Sequence, residues 1–209
     1  MRNYYTVCMF FGILLSVGFG TNENGVIQEQ VEIIEPDTIV LERDSYCDLP
    51  LNFPVPFLGK GYIGFKEAMA FKESSGDYFA TNDLGYLGKY QFGIETLNLM
   101  GVNNQIMFLS SPKLQEEVFH LNLKRNKWIL RREIKKSIGK TINKIKITES
   151  GILAAAHLAG AGNVKKYLRS NGQLNVEDVF GTKLSNYLND FSGFDMSSIV
   201  ALKNPKVNK

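Results

Sequence analysis

The stretch that decides the fold is residues 62–92, YIGFKEAMAFKESSGDYFATNDLGYLGKYQF. Its first half places Phe65 and Met69 four residues apart, the spacing of a helix that faces a core, so we predict a helix over about 62–74. Small polar residues follow, and Gly76 is well placed to end that helix. Glycines alternate with aromatic residues in the second half, which predicts a small hairpin or a tight loop.

The rest of the chain predicts a mainly α (α+β) fold, in which this hairpin or loop is the small β element. Apolar periodicity and breakers predict further helices at about 94–100, 112–138, 149–158, 163–170 and 184–191. Pro112 is expected to open the longest helix. A glycine-rich break at residues 160–162 is expected to separate two of the others.

The composition is that of a globular protein, with 44% hydrophobic and 22% charged residues among 209. Two Cys and two His offer little for a disulfide framework or a zinc site, so we expect no metal and no cofactor. The net charge of +3 is uneven, because residues 21–60 sum to −6 and residues 111–170 sum to +10. The basic residues suit a solvated helix face, with an anionic cell wall or a nucleic acid as alternative partners.

The N-terminus predicts export. Residues 1–20 carry one charge, Arg2, ahead of an apolar run that ends in small residues, which is typical of a cleaved signal peptide. An uncleaved anchor is the alternative. Export predicts a periplasmic or secreted protein with no nucleic-acid partner and no stable membrane span after cleavage. We then expect an acidic, proline-containing lead-in at 21–57, one domain at 58–196 and a C-terminal tail at 197–209.

Glu73 is the candidate catalytic acid, since it lies at the end of the first predicted helix. Partial burial and the negative end of the helix dipole would both favour a protonated carboxyl there. A general acid in glycosidic bond cleavage must hold such a proton for the leaving oxygen. Taken alone, Glu73 is better explained as a solvated carboxylate at a helix end.

Three segments together carry a family resemblance. They are, in order, Glu73-Ser74-Ser75-Gly76, Gly85-Tyr86-Leu87-Gly88-Lys89-Tyr90-Gln91-Phe92 and Ala154-Ala155-Ala156-His157-Leu158-Ala159-Gly160-Ala161-Gly162-Asn163-Val164. This order resembles the catalytic domain of the soluble lytic transglycosylase family, a branch of the lysozyme-like superfamily that cleaves peptidoglycan glycan strands. The family has a Glu-Ser pair ending a helix, a Gly-x-x-Gln turn and an Ala-Tyr-Asn-Ala-Gly-x-Gly-x-Val segment. The resemblance covers roughly residues 61–195 and implies a lysozyme-like domain.

The resemblance implies roles for individual residues. Glu73 matches the catalytic acid/base, and Ser74 matches the serine that lines the site beside it. Gly88 and Gln91 match the second motif, whose glutamine contacts the sugar chain and whose glycine permits close backbone approach. Gly160 matches a glycine that closes the floor of the site.

Two positions depart from the family pattern, because His157 and Leu158 stand where it usually has Tyr and Asn. His157 could hydrogen-bond a sugar or Glu73, or it could be a satisfied core histidine. Leu158 cannot replace the contact that an Asn makes with substrate. Aromatic residues that could stack on sugar faces are Tyr86, Tyr90, Phe92, Trp128 and Tyr167; for Trp128 a core role is the stronger interpretation.

The resemblance implies cleavage of the β-1,4 bond between N-acetylmuramic acid and N-acetylglucosamine by one carboxyl group, with a 1,6-anhydro product. A hydrolytic muramidase would need a second carboxylate. Asp77, Asp83 and Glu95 are candidates for it, although Asp77 is better explained as an Asx-turn residue. We favour the one-carboxylate reaction over hydrolysis. A catalytically inactive peptidoglycan-binding or envelope scaffold protein and a wall-degrading factor delivered to other cells remain alternatives.

Overall fold

The computed structural model describes residues 58–208, so the predicted signal peptide (1–20) and lead-in (21–57) lie outside the described residues. Helices take 52% of the described part and a two-stranded antiparallel sheet accompanies them, which confirms the prediction of a mainly helical fold. The elements are α1 Tyr62–Ser74, α2 Ile94–Leu99, α3 Gln105–Leu109, α4 Pro112–Ser137, β1 Thr141–Ile142, β2 Ile145–Lys146, α5 Glu149–Arg169 and α6 Leu184–Asp190. None of these helices is both long and apolar enough to cross a membrane.

The helix α1 ends where the sequence predicts, through two residues of positive φ. Ser75 takes the left-handed conformation at φ 59° and Gly76 follows at φ 85°. The backbone N–H of Ser75 donates to the Phe71 carbonyl at 3.0 Å, and that of Gly76 donates to the Ala70 carbonyl at 3.1 Å. These bonds satisfy carbonyls that the helix end leaves without partners and turn the chain toward the following loop.

The helix α4 begins at Pro112, as predicted, with Ser111 as its cap. The Ser111 hydroxyl accepts a hydrogen bond from the Leu114 N–H at 3.3 Å, and proline is favoured in the first turn because it has no N–H to satisfy. The helix is 26 residues long and buries one apolar side, including Val118, Phe119 and Leu123. It packs against α5 and forms one wall of the core.

The element α5 consists of two helical halves that meet at a sharp break, in agreement with the two helices predicted. Gly160 has φ 76° and ψ 151°, a backbone conformation that is essentially restricted to glycine. The break therefore lies within the predicted glycine-rich segment. Before it, Gly151 packs closely on α6: a Cβ at this position would lie 2.5 Å from the Leu188 carbonyl oxygen. Glycine at 151 thus allows α5 and α6 to approach each other.

Residues 82–92 form a tight loop, held by the isolated bridges Thr81–Leu87 and Leu87–Phe92. The regular strands of the described part lie elsewhere, in the hairpin β1–β2, which the sequence analysis did not predict. The short helix α3 was also not predicted.

The segment predicted as a C-terminal tail packs on the domain as far as Val207, whose N–H donates to the Met100 carbonyl at 3.0 Å. Ile199 is buried, and the Leu202 N–H donates to the Lys124 carbonyl at 3.1 Å. Lys203 places its ammonium 5.5 Å from the centre of the Trp128 ring, on which Arg131 also stacks at 4.2 Å. Trp128 is half-buried under these cations.

Candidate active site

A cleft of about 480 Å³ opens beside the C-terminal end of α1. Its lining brings together Glu73 from α1, Gln91 from the 82–92 loop and His157 from α5. Three residues predicted from separate motifs therefore face one cavity. Exposed apolar and aromatic side chains also line it: Leu84, Tyr86, Val179 and Phe180.

Tyr187 on α6 holds the carboxylate of Glu73. Its hydroxyl donates a hydrogen bond to Glu73 Oε1 at 2.8 Å, and its side chain is buried. Burial, and next the negative charge of Glu73, raises the pKa of Tyr187, so the hydroxyl keeps its proton and remains a donor. Among the described residues, Tyr187 is the one hydrogen-bond partner of this carboxylate, which leaves Oε2 available to a ligand. The sequence analysis missed Tyr187, which is 114 positions from Glu73.

Ser74 and Gln91 make hydrogen bonds that stabilise the segments around the cleft. The Ser74 hydroxyl has its nearest acceptor in the Lys89 carbonyl at 2.9 Å, which ties the end of α1 to the 82–92 loop. Gln91 has φ 48°, and its side-chain amide donates to the Gly88 carbonyl at 3.0 Å. Of these two predicted site residues, Gln91 lines the cleft, and Ser74 connects the two segments that form it.

Gly88 and Tyr90 are buried residues of the 82–92 loop. Gly88 has φ 74°, and a Cβ there would lie 2.2 Å from Oε1 of Gln115, a fully buried side chain on α4. The close approach that glycine permits at position 88 is therefore made by the Gln115 side chain. Tyr90 is fully buried and stacks on Phe119 with ring centroids 3.9 Å apart. The structure does not bring its ring to the cleft.

His157 uses both ring nitrogens within the protein. Its Nε2 lies 2.8 Å from the Tyr90 carbonyl, which can only accept, so Nε2 carries the proton and Nδ1 faces the Asn122 amide at 3.5 Å. The ring packs edge to face with Phe92 and Phe119 at centroid distances of 5.2 and 5.6 Å. These contacts match the core-histidine interpretation, while the half-buried ring also lines the cleft.

A second hollow of about 400 Å³ adjoins the first. The two share lining from Tyr86, Gln91, His157 and Leu158, so they form one groove. The second hollow follows the break in α5, and Gly160 lines it. Glu73 therefore lies in one half of the groove and the glycine of the third motif in the other.

The carboxylates in the cleft differ from those predicted. Asp77 accepts a hydrogen bond from the Phe79 N–H at 2.8 Å, which confirms the Asx-turn interpretation. Asp77, Asp83 and Glu95 do not line the cleft, whereas Glu177 and Asp178 do. Asp178 Oδ1 accepts hydrogen bonds from the backbone N–H groups of Phe180 and Thr182, at 2.9 and 2.7 Å, and so stabilises the turn that follows it. Glu177, in contrast, is exposed.

The sequence analysis also missed a polar network around Glu116 on α4. Its carboxylate accepts hydrogen bonds from the ammonium groups of Lys66 and Lys89, at 2.6 and 2.9 Å. It also accepts from the phenols of Tyr78 and Tyr90, at 2.6 and 2.9 Å. Lys66 belongs to α1, and the other three donors belong to the loop that leads to the cleft. Glu116 therefore joins α1, this loop and α4.

The charges in this network stabilise one another. Partial burial alone would raise the pKa of Glu116, but its four hydrogen bonds outweigh burial and lower the pKa to about 2. Burial alone would lower the pKa of Lys89, but hydrogen bonds to Glu67 and Glu116 raise it. Both groups therefore stay ionised at neutral pH.

No family model, no curated protein and no solved structure matches this chain. The resemblance to soluble lytic transglycosylases therefore stays a prediction, carried by the three motifs.

Proposed function

We propose that the chain is a peptidoglycan lytic transglycosylase with a lysozyme-like domain and Glu73 as its general acid/base. The observation that carries the proposal is the position of Glu73 in the cleft, with Oε1 held by Tyr187 and Oε2 available. Gln91 and His157, from the second and third motifs, line the same cleft. The motif order thus corresponds to a spatial grouping.

In the proposed reaction, Glu73 gives its proton to the glycosidic oxygen as the bond from that oxygen to the muramyl anomeric carbon breaks. The resulting carboxylate then takes the proton of the muramyl 6-hydroxyl, whose oxygen bonds to the anomeric carbon and forms the 1,6-anhydro ring. No water is consumed, and Glu73 ends the cycle protonated. Tyr187 fixes Oε1, so Oε2 is the atom that carries the proton.

Hydrolysis is the second candidate, and the position of Glu177 favours it. This exposed carboxylate lines the same cleft and has the chemistry to activate a water molecule. Asp178 is less suited, since it accepts two backbone hydrogen bonds. Leu158 at the usual Asn position is the feature that favours a peptidoglycan-binding protein without activity.

The proposal implies a protein of the bacterial envelope, periplasmic or secreted, whose partner is the glycan strand. The predicted signal peptide supports that location.

The deciding experiment incubates the chain without residues 1–20 with isolated sacculi and identifies the released fragments by mass spectrometry. We expect fragments that end in 1,6-anhydromuramic acid, and their loss in Glu73→Gln. Reducing ends that disappear in Glu177→Gln would instead support hydrolysis. Glu95→Gln, an exposed carboxylate outside the cleft, is the matched control and should leave cleavage unchanged.

Two outcomes would contradict the proposal. If Glu73→Gln still cleaves sacculi, Glu73 is not the acid. If the parent chain releases no fragments but sediments with sacculi, the chain is a binding protein.

A further inference from the structure

The two halves of the groove differ in charge. The half that contains Glu73 is also lined by Glu177 and Asp178, and its one lysine, Lys72, pairs with Asp190 at 3.0 Å. The second hollow is lined by Arg125 and Lys165 and by no carboxylate from the described residues. A substrate that fills the groove therefore meets an acidic half and then a basic half.

We propose that the basic hollow is an anion subsite, which binds a carboxylate carried by the muramyl residues of the substrate. This inference rests on the proposed function, because it deepens the specificity of the same groove. The two halves share four lining residues, so a glycan strand positioned at Glu73 extends over the hollow. Muramyl residues carry a lactyl group, whose carboxylate is free when no peptide is attached. In peptide-bearing residues the lactyl carboxyl is an amide, and the stem peptide supplies the carboxylates. A chitin strand has neither.

The two cations are available to a ligand. Within residues 58–208, neither Arg125 nor Lys165 has a carboxylate within 4 Å, unlike Lys127, which pairs with Glu149. Lys165 helps to lower the pKa of Glu133, but the ion-pair partner of that carboxylate is Arg169. Both Arg125 and Lys165 are half-buried, and partial exclusion of water strengthens their attraction for an anion.

Two amide side chains that suit a carboxylate also line the hollow. Asn122 and Asn126 lie one turn apart on α4, are 6% and 5% exposed, and line the hollow. The Asn126 amide donates to Asn122 Oδ1 at 3.4 Å, its one side-chain hydrogen bond among the described residues. A primary amide has two donors and an acceptor, so part of this capacity is left for a ligand. One guanidinium, one ammonium and an amide match one carboxylate.

The test is a binding titration in the Glu73→Gln background, which prevents turnover. The probe is a soluble N-acetylglucosamine–N-acetylmuramic acid disaccharide with a stem tetrapeptide, followed by isothermal calorimetry. We expect Arg125→Gln and Lys165→Gln each to weaken binding by about 5–10-fold, the contribution of one charge-assisted hydrogen bond in a partly exposed site. The same probe with methyl-esterified carboxylates should bind the parent more weakly than the free acid does, and the two substitutions should not weaken its binding further.

Controls separate the site from general charge. Arg132→Gln removes an exposed cation of α4 that does not line the hollow, and it should leave the affinity unchanged. Lys165→Arg keeps the charge and should restore most of the affinity. The lactyl carboxyl of the tetrapeptide probe is amide-linked to the peptide, so dependence on Arg125 with this probe assigns the stem peptide. Dependence on Arg125 with the peptide-free disaccharide, whose lactyl carboxylate is free, assigns the lactyl group.

The inference is overturned if the free-acid and esterified probes bind equally, if neither probe binds, or if Arg125→Gln and Lys165→Gln bind like the parent. The sacculus assay decides catalysis separately. If sacculi are cleaved and these variants show no charge-dependent loss, the anion subsite is wrong and the enzyme proposal stands. If charge-dependent binding is found without cleavage, the subsite stands and the catalytic proposal is wrong.

Discussion

The substitution Glu116→Gln is expected to lower the free energy of unfolding by about 3 kcal/mol at pH 7. It removes the negative charge that two ammonium groups, on Lys66 and Lys89, approach within 3 Å. Lys89 is only 5% exposed, and without Glu116 its ammonium would have Glu67 as its one carboxylate partner among the described residues. Breaking a buried ion pair costs about 3–5 kcal/mol, and we take the lower end because the Glu116 side chain is 24% exposed.

Proton linkage for the same contacts gives a similar magnitude. A carboxyl whose pKa falls from an ordinary 4.5 to about 2 on folding contributes ~3 kcal/mol when it is ionised in both states. The contribution is fully present above pH 4.5 and is lost as the pH falls from 4.5 toward 2, because the unfolded chain takes up the proton first. The difference between parent and Glu116→Gln should therefore shrink to about 1 kcal/mol at pH 3.

Urea unfolding followed by circular dichroism at pH 7 and pH 3 measures both differences by linear extrapolation. Glu117→Gln is the matched control: it is the next carboxylate on α4, is half-buried, and makes no ion pair within residues 58–208. It should change stability by less than ~0.5 kcal/mol. A loss below ~1 kcal/mol in Glu116→Gln, or an equal loss at both pH values, would refute the reasoning.

Two further substitutions test the site and the loop that forms it. Tyr187→Phe removes the donor to Glu73 and should lower kcat on sacculi by about tenfold with little change in KM; an unchanged kcat would contradict a positioning role. Gly88→Ala should lower the free energy of unfolding by ~3 kcal/mol, since its Cβ would strike Gln115 at a residue of positive φ. Gly85→Ala has similar φ but open space and should cost only about 1 kcal/mol in the same urea unfolding assay, and equal losses would exclude the Gln115 contact as the cause.

The parts of the fold that the sequence predicted are those set by local signals. The end of α1, the start of α4 at Pro112 and the break near Gly160 each follow from residues within a few positions of the feature. The hairpin β1–β2 was missed because its two turn residues, Asn143 and Lys144, both have positive φ, and lysine stands where glycine is usual. The helix α3 has five residues, too few to establish a period.

In the candidate site, too, the residues that could be predicted are those in local motifs, and the residues that were missed come from distant parts of the chain. Motif order indicated Glu73 and Gln91, and both line the cleft. Tyr187 and the donors to Glu116 were missed because they come from 26 to 114 positions away in the chain, and no local pattern encodes such a contact. Tyr90 is the opposite case, a residue predicted for the site that the structure places in the core. Its sequence context fits a residue that stacks on sugars as well as it fits a core residue, and its burial follows from packing on α4.

The break in α5 couples the width of the groove to the conformation of one residue, Gly160. The half of the helix before Gly160 is anchored in the core, where Ala154 and Ala155 are fully buried. The half after it carries Lys165 to the second hollow. Its direction depends on two dihedral angles of Gly160 and is held by Val164 and Tyr167, both fully buried, so a change at Gly160 would alter the core packing and the width of the groove together.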